Sequence, residues 1–185
     1  MRRDFICRQL EDVPSSNEPI VLHEKDVDLS GLDLSGLNLS GSTLCNVNLK
    51  GANLRGAILK GVEFKGVELE GANLQGACLV DGNFECSDLS KANLEGAELR
   101  YTRIFMSSFV GANLHGADLS GCKMAYSDFS HAIMDDVNLS GADINLIVNE
   151  DDEMDKNDFA YASLYDAVIT SPEVRAFLIK EGAEL

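Results

Sequence analysis

The chain has 185 residues, 45% of them hydrophobic, which is the size of one domain with a sizeable core. Aromatics make up only 6% and tryptophan is absent, so that core is assembled from many small and medium side chains. A formal net charge of −16 argues against nucleic-acid phosphates and anionic lipid as the main partners, and makes a basic protein surface the better match.

Residues 1–24 are expected to form an N-terminal capping segment. Their stretch EDVPSSNEPIV reads as a loop from its Pro, Ser and Asn content. The opening Arg2-Arg3 pair is followed by no apolar run of signal-peptide length. No segment is long enough to span a membrane, so no membrane contact is expected. The cysteines are Cys7, Cys45, Cys78, Cys86 and Cys122, an odd set without a CxxC pair. Such usage points to reduced thiols and a cytoplasmic location.

Residues 25–147 carry a repeat of five. Large apolar residues recur at Leu29, Leu34, Leu39 and every fifth position to Ile144, giving 24 centres that are all Leu, Phe, Ile or Met. Two positions before the centre stands a small or β-branched residue in 22 of 24 cases, and two positions after it stands Gly in 14 of 24. A helix advances roughly 100° per residue and would smear these centres over every face. A flat strand alternates with period two, so an odd repeat would flip sides each time. A right-angled turn every five residues satisfies the pattern. Four pentads then close a square coil, with both apolar positions inward and Gly at the corner. Coils stack through parallel bridges about 4.8 Å apart. The small residue beside each Leu or Phe lets a narrow interior close without overpacking.

The segments ANLRG, ANLQG, ANLEG, ANLHG and ADLSG carry the resemblance. The chain resembles the pentapeptide-repeat family, whose pattern is A(D/N)LXX. The resemblance implies an all-β fold, a right-handed quadrilateral parallel β-helix of about six to seven coils with a short C-terminal α-helix. It also implies that a C-terminal coil and helix can serve as a homodimer contact.

Residues 148–158 read as an acidic loop, since NEDDEMDKND holds six acids and one Lys. Residues 159–170 restore the phase as a final repeat-like coil, with Phe159, Leu164 and Ile169 in frame. Residues 171–185 form the C-terminal helix and tail, with Ser171 as N-cap and Pro172 as the first helical residue. Val174, Phe177 and Leu178 share one face of that helix and either cap the last coil or meet a second copy.

Residues 20 apart stack, so the surface can be drawn from the sequence. Asn53, Asn73, Asn93 and Asn113 form an amide ladder. Asp28, Asn48, Glu68, Asp88, Ser108 and Asp128 form a mostly acidic column, to which Glu70 adds. At RYTRIFMSSFV the pattern is broken: Tyr101 and Met106 occupy corners that usually hold Gly, and Phe105 is outward. Tyr126 stacks on Met106 and Leu146 on Tyr126, predicting an exposed apolar strip at one edge that marks a partner site.

Catalytic signals are missing. His23, His115 and His131 are scattered, and no GxSxG, HExxH or phosphate-loop motif occurs. No enzyme activity, cofactor or metal is expected. The preferred reading is a scaffold or regulator that binds a partner protein. The alternative is an acidic mimic of DNA that binds DNA gyrase or another type II topoisomerase, as some members of the family do. Lys50, Arg55, Lys60 and Lys65 weigh against that alternative, because a mimic should be acidic along its length.

Overall fold

The computed structural model describes residues 21–22, 27–144 and 157–185. The chain coils into a right-handed quadrilateral parallel β-helix closed by one short helix. Its fourth side is a six-stranded parallel sheet with one strand per coil. The strands are β1 (Val21–Leu22), β2 (Thr43–Cys45), β3 (Glu63–Lys65), β4 (Asn83–Glu85), β5 (Arg103–Phe105) and β6 (Lys123–Ala125). From β2 onward the register is that of the repeat: Thr43, Glu63, Asn83, Arg103 and Lys123 are successive partners, 20 residues apart. The first strand pairs Val21 with Thr43, 22 residues away, so two extra residues lie between it and the regular coils.

The other three sides are ladders of single bridges. The first runs Asp28, Asn48, Glu68, Asp88, Ser108, Asp128, Asp158; the second starts Asp33, Asn53, Asn73; the third starts Asn38, Ile58, Cys78. Each corner is a tight turn, as where Ala52 N–H donates to Leu49 O at 3.0 Å. From Leu29 to Leu139 the residue two after each centre takes left-handed backbone, whether it is Gly56 (φ 63°) or Tyr101 (φ 60°). That conformation turns the chain through the corner, which is why Gly recurs there.

The interior is the sum of the inward positions. Ala52, Ala72, Ala92 and Ala112 stack beside Leu54, Leu74, Leu94 and Leu114, all fully buried. A phenylalanine column crosses from the fourth side to the first. The centroid spacings are 5.1 Å for Phe64–Phe84, 6.2 Å for Phe84–Phe109, 4.8 Å for Phe109–Phe129 and 4.9 Å for Phe129–Phe159. On the first side the small inward residue changes from Val27, Val47 and Val67 to Ser87, Ser107 and Ser127. These serines are buried, and each hydroxyl accepts the amide one coil below: Val67 N–H to Ser87 Oγ (3.3 Å), Ser87 N–H to Ser107 Oγ (3.1 Å), Ser107 N–H to Ser127 Oγ (3.1 Å). A buried hydroxyl is tolerated because it is hydrogen-bonded.

Beyond β6 the register lengthens. Lys123 bridges Asp143 at 20 residues, but Asp128 bridges Asp158 at 30, so the step from one coil to the next is ten residues longer there. The coil regains the chain at Asn157, whose carboxamide takes the place of the next inward serine. Its Oδ1 accepts Ser127 N–H at 3.0 Å, and its Nδ2 donates to Met124 O (2.9 Å) and to Ile144 O. Most of the acidic stretch 148–158 therefore lies outside the described residues, while Asn157 and Asp158 belong to the solenoid wall.

Helix α1 (Pro172–Lys180) covers the last coil. Ser171 is its N-cap, accepting Val174 N–H on Oγ at 3.2 Å, with Pro172 at the first turn. After the helix Gly182 turns the chain back, and Glu184 bridges Ser163, so the final residues add one more rung to the second side.

Candidate interaction surface

The fourth side changes character at β5 and β6. Phe105 ends β5 and pairs with Ala125, whose small buried side chain leaves room above the sheet. The Phe105 ring meets the Tyr126 ring edge-on, with centroids 5.1 Å apart and planes at 86°. Met106 sits at the same corner and is 56% exposed. At the other end of β5, Tyr101 is 64% exposed. Its ring lies over Gly121, where a Cβ would fall 2.6 Å from Tyr101 Cδ1 and push the ring aside. Phe105, Met106 and Tyr126 thus stand together at one edge, and Tyr101 stands at the opposite edge of the same side. Leu146 lies outside the described residues.

The backbone at Tyr101, Met106 and Tyr126 is left-handed, with φ of 60°, 52° and 56°. Each non-glycine residue there costs about 1–2 kcal/mol relative to ordinary backbone. Side chains retained against that cost, and left in solvent, are candidates for contact with another molecule.

The acidic column occupies the first side. Asp28, Glu68, Asp88 and Asp128 are stacked by the bridges given above. Lysines reach part of it: Lys50 Nζ lies 3.1 Å from Glu68, and Lys91 Nζ lies 3.2 Å from Glu70. The hydrogen bond to Glu68 holds the Lys50 ammonium above its usual range. Asp88 and Asp128 accept the backbone N–H of Ser90 (2.9 Å) and Ser130 (2.8 Å). Several carboxylates of the column are therefore spent on turns and ion pairs rather than held open as a field.

Val174 and Leu178 are buried against the protein's own last coil, and the Phe177 ring lies 6.3 Å from Phe159. Among the described residues no group of three or more His, Cys, Asp or Glu could hold a metal ion. The Cys122 thiol is pushed up to about 12 by burial, which keeps it protonated and unreactive.

The period of five, four-sided closure and left-handed corners define one architecture. The family model for pentapeptide repeats matches in 8 copies, over residues 25–61, 48–85, 68–104 and 107–146. The chain belongs to the pentapeptide-repeat family. Two solved structures of trypsin-treated QnrB1, a plasmid-mediated fluoroquinolone resistance protein, share this fold at 18% identity. They have TM-scores of 0.52 and 0.54, covering 83% and 88% of this chain and 95% and 97% of theirs. HetL, a pentapeptide-repeat protein involved in heterocyst differentiation regulation from the cyanobacterium Nostoc, is 26% identical over 88% of this chain and 79% of its own, with a TM-score of 0.35. No curated protein matches the chain.

Other surface features of this pentapeptide-repeat protein escape a sequence reading. His131 and Tyr161 stack at 5.2 Å, and Tyr161 and Tyr165 are both exposed on the last coil. Arg103 and Lys123 are neighbours on the outer face of β5 and β6. The repeat frame could have signalled Asn157, which stands two positions before the centre Phe159, where small inward residues belong.

Proposed function

We propose that this protein is a non-enzymatic protein-interaction module, a scaffold or regulator that binds a partner protein through the β5–β6 side of its solenoid. The observation that carries the reading is the Phe105–Tyr126 ring pair beside exposed Met106, with Tyr101 across the same side. Large apolar and aromatic side chains are the usual anchors of protein interfaces. The corner turn itself does not need Tyr101, Met106 or Tyr126, since Gly serves the same turn elsewhere. The module is placed in the cytoplasm, where its cysteines stay reduced. The test is capture from a cell lysate by the protein and by its Phe105→Ser, Tyr126→Ser variant, with melting temperatures measured in parallel. The reading expects a captured protein that the variant loses while its melting temperature stays near the parent's. Equal capture by both, or a variant that no longer folds cooperatively, counts against it.

The acidic column supports a second reading, a DNA mimic acting on DNA gyrase or another type II topoisomerase. Its carboxylates rise at the regular step of the coils. The Lys50–Glu68 and Lys91–Glu70 pairs weaken it. A supercoiling assay at two salt levels decides, because inhibition through surface charge must fade as salt rises.

A further inference from the structure

β5 and β6 place Arg103 and Lys123 directly opposite each other on the outer face of the fourth side. Both are exposed. Like charges facing across neighbouring strands repel. Three lysines of the solenoid pair with carboxylates across the coils, Lys50 with Glu68, Lys65 with Glu85 at 2.9 Å and Lys91 with Glu70, whereas Arg55 and Lys60 stand singly without an ion pair among the described residues. Arg100 reaches Glu98 at 3.0 Å. Arg103 and Lys123 make no ion pair among the described residues. Acids are not scarce, since the chain has 31 against 15 Lys and Arg. Asn83 precedes the two cations in the same ladder and Asp143 follows Lys123, while Tyr101 and Phe105 flank Arg103 along β5.

We infer that this cation pair and the apolar corner beside it form one site for an acidic segment of a partner protein. The inference rests on the interaction-module reading above. Carboxylates of the segment would bridge Arg103 and Lys123, relieving their repulsion with charge-assisted hydrogen bonds. An apolar side chain next to them would pack on Phe105, Met106 and Tyr126. Net charge alone suggests a basic partner, but local charge sets the chemistry of a contact a few ångströms across, and beyond about 8 Å the remaining acids are screened at physiological salt. Polynucleotides fit poorly. A backbone continuing past the two cations meets the acidic first side at Asp88 and Asp128.

The test selects short random peptides displayed against the full-length protein. It then measures one recovered peptide, synthesised and labelled, against three variants: Arg103→Glu with Lys123→Glu, Arg103→Gln with Lys123→Gln, and Phe105→Ser with Tyr126→Ser. The expected peptides join Asp or Glu to an adjacent Leu, Phe or Tyr. Charge reversal should weaken binding by at least about tenfold, the effect of losing one charge-assisted contact. The Gln pair should also weaken binding while melting no lower than the parent, which separates loss of the site from loss of the fold. Peptides lost with the aromatic variant but indifferent to both charge variants would overturn the acidic partner and leave the interaction module standing. Peptides indifferent to all three variants would overturn both. Recovery of only neutral or basic peptides, or tighter binding of a single-stranded oligonucleotide than of any peptide, also defeats the inference.

Discussion

Six successive corners from Gly51 to Gly76 hold φ between 62° and 65°; Tyr101, Met106 and Tyr126 turn the same corners at 60°, 52° and 56°. The backbone path is the same in both stretches, and the strands keep the same register of 20. What differs is the cost. Glycine adopts that conformation freely, whereas each larger residue carries about 1–2 kcal/mol of strain. The fold is therefore dictated from inside, by paired apolar positions and turn geometry. The outer corners are free to vary, and a large side chain there reports a requirement other than folding.

The comparison breaks most severely if the shared interior fails. Phe129 stacks between Phe109 and Phe159, and Phe129→Ala should cost about 3–5 kcal/mol in denaturant unfolding through the cavity it leaves. A loss below about 1 kcal/mol would mean that the column packs too loosely to specify the coils. The opposite error, overpacking, is tested at Ala97, which is fully buried. Ala97→Leu should destabilise by about 1–3 kcal/mol; a variant that melts like the parent would show room that the structure does not.

The corners sharpen the comparison from both directions. Gly71 has open space around its would-be Cβ, so Gly71→Tyr tests backbone strain alone and should cost about 1–2 kcal/mol. Tyr126→Gly should leave stability within about 1 kcal/mol of the parent, because relieved strain is offset by a more flexible unfolded chain. The same variant should lose partner binding. If Tyr126→Gly destabilises more than Gly71→Tyr, the aromatic corner is structural and the contrast drawn here fails.

The smallest effect is with acid. Ser35 hydrogen bonds, with Asn53 Nδ2 at 2.9 Å, hold the Asp33 carboxyl below its ordinary 3.8. A carboxyl lowered in the folded state contributes stability that is present above 3.8 and is lost as pH falls through the lowered value. Asp33→Asn should therefore lower stability slightly at neutral pH, leave it unchanged in strong acid, and so flatten the acid limb of the stability curve. An unchanged acid limb would remove Asp33 from that account.

Much of this was legible in the sequence, because burial is periodic. Ala52 and Leu54 repeat every five residues and could only converge in a square coil. The amide ladder followed from the same step, and Asn73 Nδ2 does donate to Asn53 Oδ1 at 3.3 Å. The N-cap at Ser171 was legible too, since capping depends on local residue types. Side-chain direction at the corners was not. Period places Tyr126 above Met106, yet its ring packs against Phe105, beside the small Ala125 that pairs with Phe105. Ion pairs such as Lys50–Glu68 and Lys91–Glu70 join residues 18 and 21 apart, offsets that depend on how long side chains cross a corner. The frame through Phe159 places Asn157 inward, but the three hydrogen bonds of its carboxamide depend on a register that lengthens by ten residues there.

The placement of the tyrosines has an optical consequence. The chain has no tryptophan and four tyrosines. Tyr101, Tyr161 and Tyr165 are exposed and Tyr126 is half-buried, while the interior rings are phenylalanines. Near-ultraviolet emission from this protein therefore comes from its outer wall. Separating the coils at constant temperature with denaturant should change the surroundings mainly of Tyr126, since the other three rings are already exposed. A molecule settling on β5 and β6 would cover Tyr126 and Tyr101 and alter it at once, so the native chain carries its own docking reporter without a label.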